Sequence, residues 1–230
     1  MLLFVLSACE LLTPYLEEVR EEPTEVYYGG NVVQGAPNGE NDLLESGLLA
    51  FWDLQGDLLA EAEQPYAASP GYWRAQLPIS EPFLLRIEAE DSYPALWRFL
   101  SPAQTGLWFT GALFSWPHAQ VDPFFEALGE TLDVEIADLK TKEVVHLWGQ
   151  VQNPEDASLG DWLVRDGEGK RPIVYAFEIT EDGTLVETEQ APIHYFFAFN
   201  LSPGDIEVAG VNYAAQPGDL ISAWWYEVLE

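Results

Sequence analysis

The chain has 230 residues, 48% apolar and 13% aromatic, which suits one large or two small domains with a real core and excludes a disordered chain. Nine Lys and Arg against 39 Asp and Glu leave a formal charge of −30. That balance excludes nucleic acid as a partner, because such binding rests on neutralising phosphates, and it repels anionic lipid. A single cysteine allows neither an internal disulfide nor a cysteine-based metal site, so stability has to come from packing.

The stretch MLLFVLSACE places that cysteine at position 9, behind the apolar run Leu2 to Ala8. The run is far too short to span a bilayer, which takes about 20 apolar residues. It suits a buried strand with an inert thiol, or the apolar core and cleavage region of an export signal. Leu6-Ser7-Ala8-Cys9 resembles the lipobox of bacterial lipoproteins. The resemblance implies cleavage before Cys9, a diacylglycerol on its thiol and acylation of the new amino group, with residues 1–8 as the signal remnant. Each buried methylene contributes about 0.8 kcal/mol, so three acyl chains make a permanent anchor. Glu10 is not the Asp that commonly retains such lipoproteins at the inner membrane, which makes the outer membrane the expected address.

Residues 9–25 then read as a lipidated N-terminus and acidic tether. Within ELLTPYLEEVREEPTE, Thr13 can cap a short helix with Pro14 at its first position, and Pro23 ends it. QGAPNGEND, at 34–42, is a loop by its Gly, Pro, Asn and Asp. From about residue 46 the apolar period becomes two. In FLLRIEAE, Phe83, Leu85, Ile87 and Ala89 fall on one face and Leu84, Arg86, Glu88 and Glu90 on the other, as in a half-buried strand. GLLAFWD and GYWRAQLP are similar runs bounded by Gly or Pro.

VDPFFEALGE predicts one short helix over 121–131, with Asp122 capping, Pro123 starting and Gly129 stopping it. Its Phe124, Phe125 and Leu128 form an apolar face. A second set of strands follows: EVVHLWGQV, PIVYAFEI, TLVETE, HYFFAF, DIEVAGV and ISAWWYEV. Ile173, Tyr175, Phe177 and Ile179 share a face, and EDGT is a hairpin-type turn. Many short strands with frequent turns predict an all-β chain of two tandem Ig-like or prealbumin-like β-sandwiches, over 26–120 and 132–230, joined by the short helix. The two sets also echo each other weakly, as expected of tandem modules.

YFFAFNLSPGDIEVAG resembles the carboxypeptidase regulatory-like (transthyretin-like) sandwich in its aromatic strand, Leu-x-Pro-Gly turn and following apolar strand. DLQGDLLAEAEQPYAASPGYWRAQLPISEPFLLRIEA follows the same scheme more loosely. The resemblance implies a non-catalytic module serving as spacer, stabiliser or binding unit, and it brings no catalytic residues.

Little in the chain is equipped for catalysis. A nucleophilic triad needs a base beside Ser or Cys. The three histidines, His118, His146 and His194, have no nucleophile-elbow or zinc-protease motif around them and read as structural. With 39 acids, an arbitrary carboxylate pair identifies no glycosidase. NPEDASLGD gathers Asn153, Glu155, Asp156, Ser158 and Asp161 into one loop, whose alternating oxygens suit Ca²⁺ or, more simply, solvent. No other cofactor is expected. Adjacent strand residues point to opposite faces. In each of the pairs Tyr72–Trp73 and Trp224–Trp225, at least one ring therefore faces away from the core, towards a neighbouring domain, the tether or a ligand. The expected function is a lipid-anchored, non-enzymatic binding or scaffolding module of the cell envelope, holding the membrane by its lipid and an envelope protein or glycan by its body. The rival expectation is a surface lipoprotein that binds or cleaves carbohydrate through exposed Trp and Tyr.

Overall fold

The computed structural model describes residues 25–34, 42–44, 46–64, 72–78, 81–100, 107–151, 153–158, 160 and 162–225, some strand residues by their backbone alone. The first half carries β1 (Glu25–Gln34), β2 (Asp42–Leu43), β3 (Gly47–Asp53), β4 (Leu58–Gln64), β5 (Tyr72–Pro78), β6 (Pro82–Glu88), β7 (Ser92–Tyr93), β8 (Ala95–Leu100) and β9 (Leu107–Pro117). Helix α1 (His118–Leu132) follows. The second half carries β10 (Val145–Val151), β11 (Val164–Arg165), β12 (Tyr175–Ile179), β13 (Leu185–Glu187), β14 (Tyr195–Leu201), β15 (Gly204–Val208), β16 (Val211–Ala215) and β17 (Leu220–Trp225). The fold is all-β, and no helix among the described residues is long and apolar enough to cross a membrane.

Nine strands form a central sheet in the order β13-β12-β14-β10-β17-β8-β6-β3-β4. Neighbours are antiparallel except in the middle, where β10, β17 and β8 run parallel. The pairing pattern therefore reads the same from either edge, and each edge is a hairpin. One hairpin turns over 53–57, the other over 180–184. A second sheet is built on β1, which is antiparallel to β2 and β5 and parallel to β9, with β7 beyond β9. The third sheet is β11-β15-β16.

Alternation along the central strands fills two cores. Phe83, Leu85 and Ile87 of β6, Trp97 of β8, and Tyr195, Phe197 and Phe199 of β14 face the second sheet and α1, where Trp73, Trp116 and Phe125 meet them. Leu84, Leu96, Phe196 and Ala198 face the third sheet, with Ile206, Val208 and Tyr213. Strand β6 is thus covered on both sides, beyond the half-buried strand its alternation predicts, because β3 and β8 flank it and a second layer lies over Leu84.

Two differences from the sequence reading have clear physical causes. First, β17 pairs with β8, so strands from both expected sandwiches share one sheet. Alternation marks apolar faces and is silent about which distant strand supplies the hydrogen bonds. Second, the helix starts at His118, directly after Pro117, and has Pro123 in its interior. It ends at Asp133, which takes the left-handed conformation while Val134 N–H donates to Gly129 O and Asp133 N–H to Glu130 O. Gly129 is an interior residue, not the stop: a Cβ there would lie 2.9 Å from Val134 O. Its role is to let the chain fold back closely over the last turn.

The echo between the two halves is also only partial in space. The aromatic strand β5 leaves the central sheet to pair with β1, whereas its counterpart β14 stays in it and the following β15 leaves.

Candidate functional site

The parallel trio at the centre of the sheet brings three chain segments to one end. Ser92, Tyr93 and Pro94 lead into β8, Leu139, Lys140 and Lys142 precede β10, and Gln216, Pro217 and Gly218 lead into β17. With His118 at the start of α1 and Arg86 near the end of β6, they line a cleft of about 620 Å³. That volume is in the range of small-molecule sites.

The polar groups around this cleft are fixed by their neighbours. Arg86 embraces the fully buried Asp219, with Nη2 2.9 Å from Oδ1 and Nη1 3.3 Å from Oδ2. Its Nε lies 2.7 Å from Glu88 Oε1. Asp219 also accepts from Gln216 N–H at 2.7 Å. Burial pushes the Asp219 carboxyl up to about 6, and the Arg86 charge limits the rise. Tyr93 Oη donates to Asp122 Oδ1 at 2.5 Å and lies 3.3 Å from Asp138 Oδ1. Burial, then the Asp122 contact, raises the Tyr93 phenol well above its ordinary range, so it stays a donor. Lys140 closes the group with an ion pair to Asp122, which raises its ammonium. The His118 ring meets Tyr93 edge-on at 4.4 Å.

Helix α1 opens onto the same cleft with no side-chain cap and no acid in its first turn. Among the described residues Lys142 forms no ion pair. Of nine Lys and Arg in the chain, three line this cleft, together with one of the three histidines. Sequence reasoning missed the grouping. It placed Arg86 on an outward strand face and passed over Lys140 and Lys142, although the scarcity of cations was a usable signal.

Two further hollows differ in kind. Lys170, Arg171, Ile173, Tyr175 and Asn200 line a depression of about 330 Å³. Between Trp116, Phe125, Trp148 and Phe197 lies an apolar void of about 10 Å³ inside the core.

The residues singled out from sequence are scattered. Cys9 and Asp161 lie outside the described residues. Asn153, Glu155, Asp156 and Ser158 are exposed, around the short turn Pro154–Asp156. Among the described residues no three His, Cys, Asp or Glu side chains converge to hold a metal. Trp73 is fully buried against Phe51, ring centroids 5.2 Å apart, and offers no face to a ligand. This corrects its candidacy as a stacking ring: Trp73 projects from β5 between the sheets, the drier of its two choices. Tyr72 lies in β5 and Trp224 and Trp225 in β17 by backbone, and their side chains are outside the described part.

The other two histidines have partners within the fold. His146 is fully buried, with Nε2 2.9 Å from Ala137 O and Nδ1 accepting from Asn200 N–H at 3.2 Å. Burial depresses it to about 4, so it is neutral at ordinary pH. His194 Nδ1 accepts from Ile179 N–H at 3.1 Å.

No family model matches the chain, and no curated protein matches it in sequence. Among solved structures it is similar to the Bacillus anthracis TIE protein, at TM-score 0.30 and 11% identity over 87% of this chain and 34% of that one, so it spans about a third of that protein's length. It is also similar to a protein of Bacteroides fragilis NCTC 9343 described as a cell adhesion protein, at TM-score 0.23 and 9% identity over 86% of this chain and 92% of that one. Likenesses of this degree carry no functional conclusion.

Proposed function

We propose that the chain is an exported, lipid-anchored, non-enzymatic module of the cell envelope, held at the outer membrane through Cys9 and a tether over residues 10–25. The observation that carries the anchor is Leu6-Ser7-Ala8-Cys9 behind an apolar run, in a chain with no other cysteine. The body is two β-sandwiches on a shared wall. In the first, β1, β5 and β9 cover one face of the central sheet; in the second, β11, β15 and β16 cover the other. The carboxypeptidase regulatory-like resemblance supports the second, since YFFAFNLSPGDIEV spans β14, the Leu201–Gly204 turn and β15. Such a module presents a binding surface at a fixed distance from the membrane. The test is expression with the native upstream region, labelling with a fatty acid and an intact mass. The expected product begins at Cys9 and carries three acyl chains. A polypeptide retaining residues 1–8, or a free Cys9 thiol, defeats the anchor.

A further inference from the structure

We infer that the cleft at the head of the parallel trio binds an oxyanion, a carboxylate, sulfate or phosphate group carried by a ligand of about sugar size. The inference stands on the cleft alone and holds whether or not Cys9 is lipidated. A protein with 39 acids and nine Lys and Arg repels anions over most of its surface, so a place that gathers cations is informative. Arg86, His118 and the Lys140–Lys142 stretch are three separate segments that meet where β8, β10 and β17 start side by side.

Four acids, Glu88, Asp122, Asp138 and Asp219, stand beside three cations, so an anion can sit only at the cation that none of them engages. Asp219 and Glu88 are held by Arg86, and Asp122 by Tyr93 and Lys140. Asp138 accepts from Lys140 N–H at 2.8 Å. Lys142 is exposed and makes no ion pair among the described residues. At the start of α1 the His118 N–H donates to Asp91 O, while no side chain caps the N–H groups that follow, and a helix start favours negative charge. Lys142, His118 and the α1 start are therefore the groups left to receive an oxyanion. Pro94, Pro217 and Leu139 supply apolar wall for the rest of the ligand. The volume, about 620 Å³, admits a monosaccharide or disaccharide.

The experiment is an NMR titration of the full chain at physiological ionic strength, where the Debye length of about 8 Å screens the overall negative field. The probes are sulfate, inorganic phosphate, glucuronate and, as the neutral control, glucose. The expected result is saturable, millimolar binding of an anionic probe, with shifts concentrated at His118, Lys142 and Gly218. Sulfate or phosphate without glucuronate identifies an ester ligand; glucuronate identifies an acidic sugar. Lys142→Asn, which suits the left-handed backbone at that position (φ 55°), should weaken binding about tenfold, the scale of one charged hydrogen bond. Lys170→Gln removes the same charge from a different loop and should change it less than twofold. Equal weakening by the two substitutions overturns the site, since it would report only general charge. Glucose acting like glucuronate, or no cleft shift at tens of millimolar anion, overturns it as well. The wild-type shift map decides the matter alone if Lys142→Asn fails to fold.

Discussion

Gly149 sits opposite Phe196 in the β10–β14 pairing, and the Phe196 ring lies over it. A Cβ at 149 would be 2.0 Å from Phe196 Cζ. The ring cannot yield freely, because its other face stacks on Trp162 at 4.7 Å and 7°. Gly149→Ala should therefore cost about 3 kcal/mol in urea unfolding, from overpacking plus a lost aromatic stack. Adding Phe196→Leu should recover part of that loss, a coupling that a double-mutant cycle measures. Two buried titrating groups oppose each other nearby. His146, depressed to about 4, contributes stability that is present above pH 6.5 and is lost as pH falls through 4. Asp219, raised to about 6, contributes stability that is full below 3.8 and is lost as pH rises through 6. Each is about 3 kcal/mol at 1.36 kcal/mol per pH unit, so in the intact protein they offset across mild acid. Asp219→Asn removes one side of the balance. Its stability relative to wild type should fall by about 3 kcal/mol between pH 7 and pH 4, read from urea midpoints at several pH values. A constant difference across that range would show that Asp219 titrates normally.

Helix α1 shows what a local pattern can and cannot locate. Phe124, Phe125 and Leu128 were legible as an apolar face, and they do pack: Phe124 meets Phe197 at 5.8 Å, and Phe125 meets His146 at 5.2 Å. The start was not legible, because Asp122-Pro123 imitates a cap followed by a first helical residue. In the fold Asp122 is spent on Tyr93 and Lys140, and Pro123 is carried inside the helix without an N–H to donate. Pro123→Ala should restore that hydrogen bond and raise stability by about 1–3 kcal/mol, measured by urea unfolding. An unchanged or lowered midpoint would mean that Pro123 fixes a bend the packing needs. The strands divide in the same way. Alternation marked Phe83, Leu85 and Ile87 as core, and they are. It could not show that Arg86 on the other face would find Asp219, 133 residues further along. The cleft is illegible for the same reason: no spacing links Arg86, His118, Lys140 and Lys142, and only the sheet order brings them together.

At the scale of the molecule, the two cores are unequal in origin. The core against the third sheet draws mainly on residues after α1, with Leu84 and Leu96 as minor contributors from before it. The core against the second sheet needs both halves, since Trp148, Phe177 and Phe197 pack with Trp73, Trp97 and Trp116. A fragment of residues 132–230 should therefore unfold cooperatively in urea, with a lower midpoint than the full chain. It should also bind a hydrophobic dye more strongly, through the uncovered Trp148 face. A fragment with no cooperative transition would show that neither sandwich exists apart from the shared sheet. The place of β17 bears on how the protein is made. Strands β8 and β10 are its neighbours on either side, yet both precede it along the chain. Until residues 220–225 emerge, a growing chain carries two half-sheets with open inner edges, each able to pair with the wrong strand. Closure is a single late insertion between finished walls, so folding of the sheet waits until β17 has emerged, and a nascent chain stalled before β17 is the species a chaperone would have to shield.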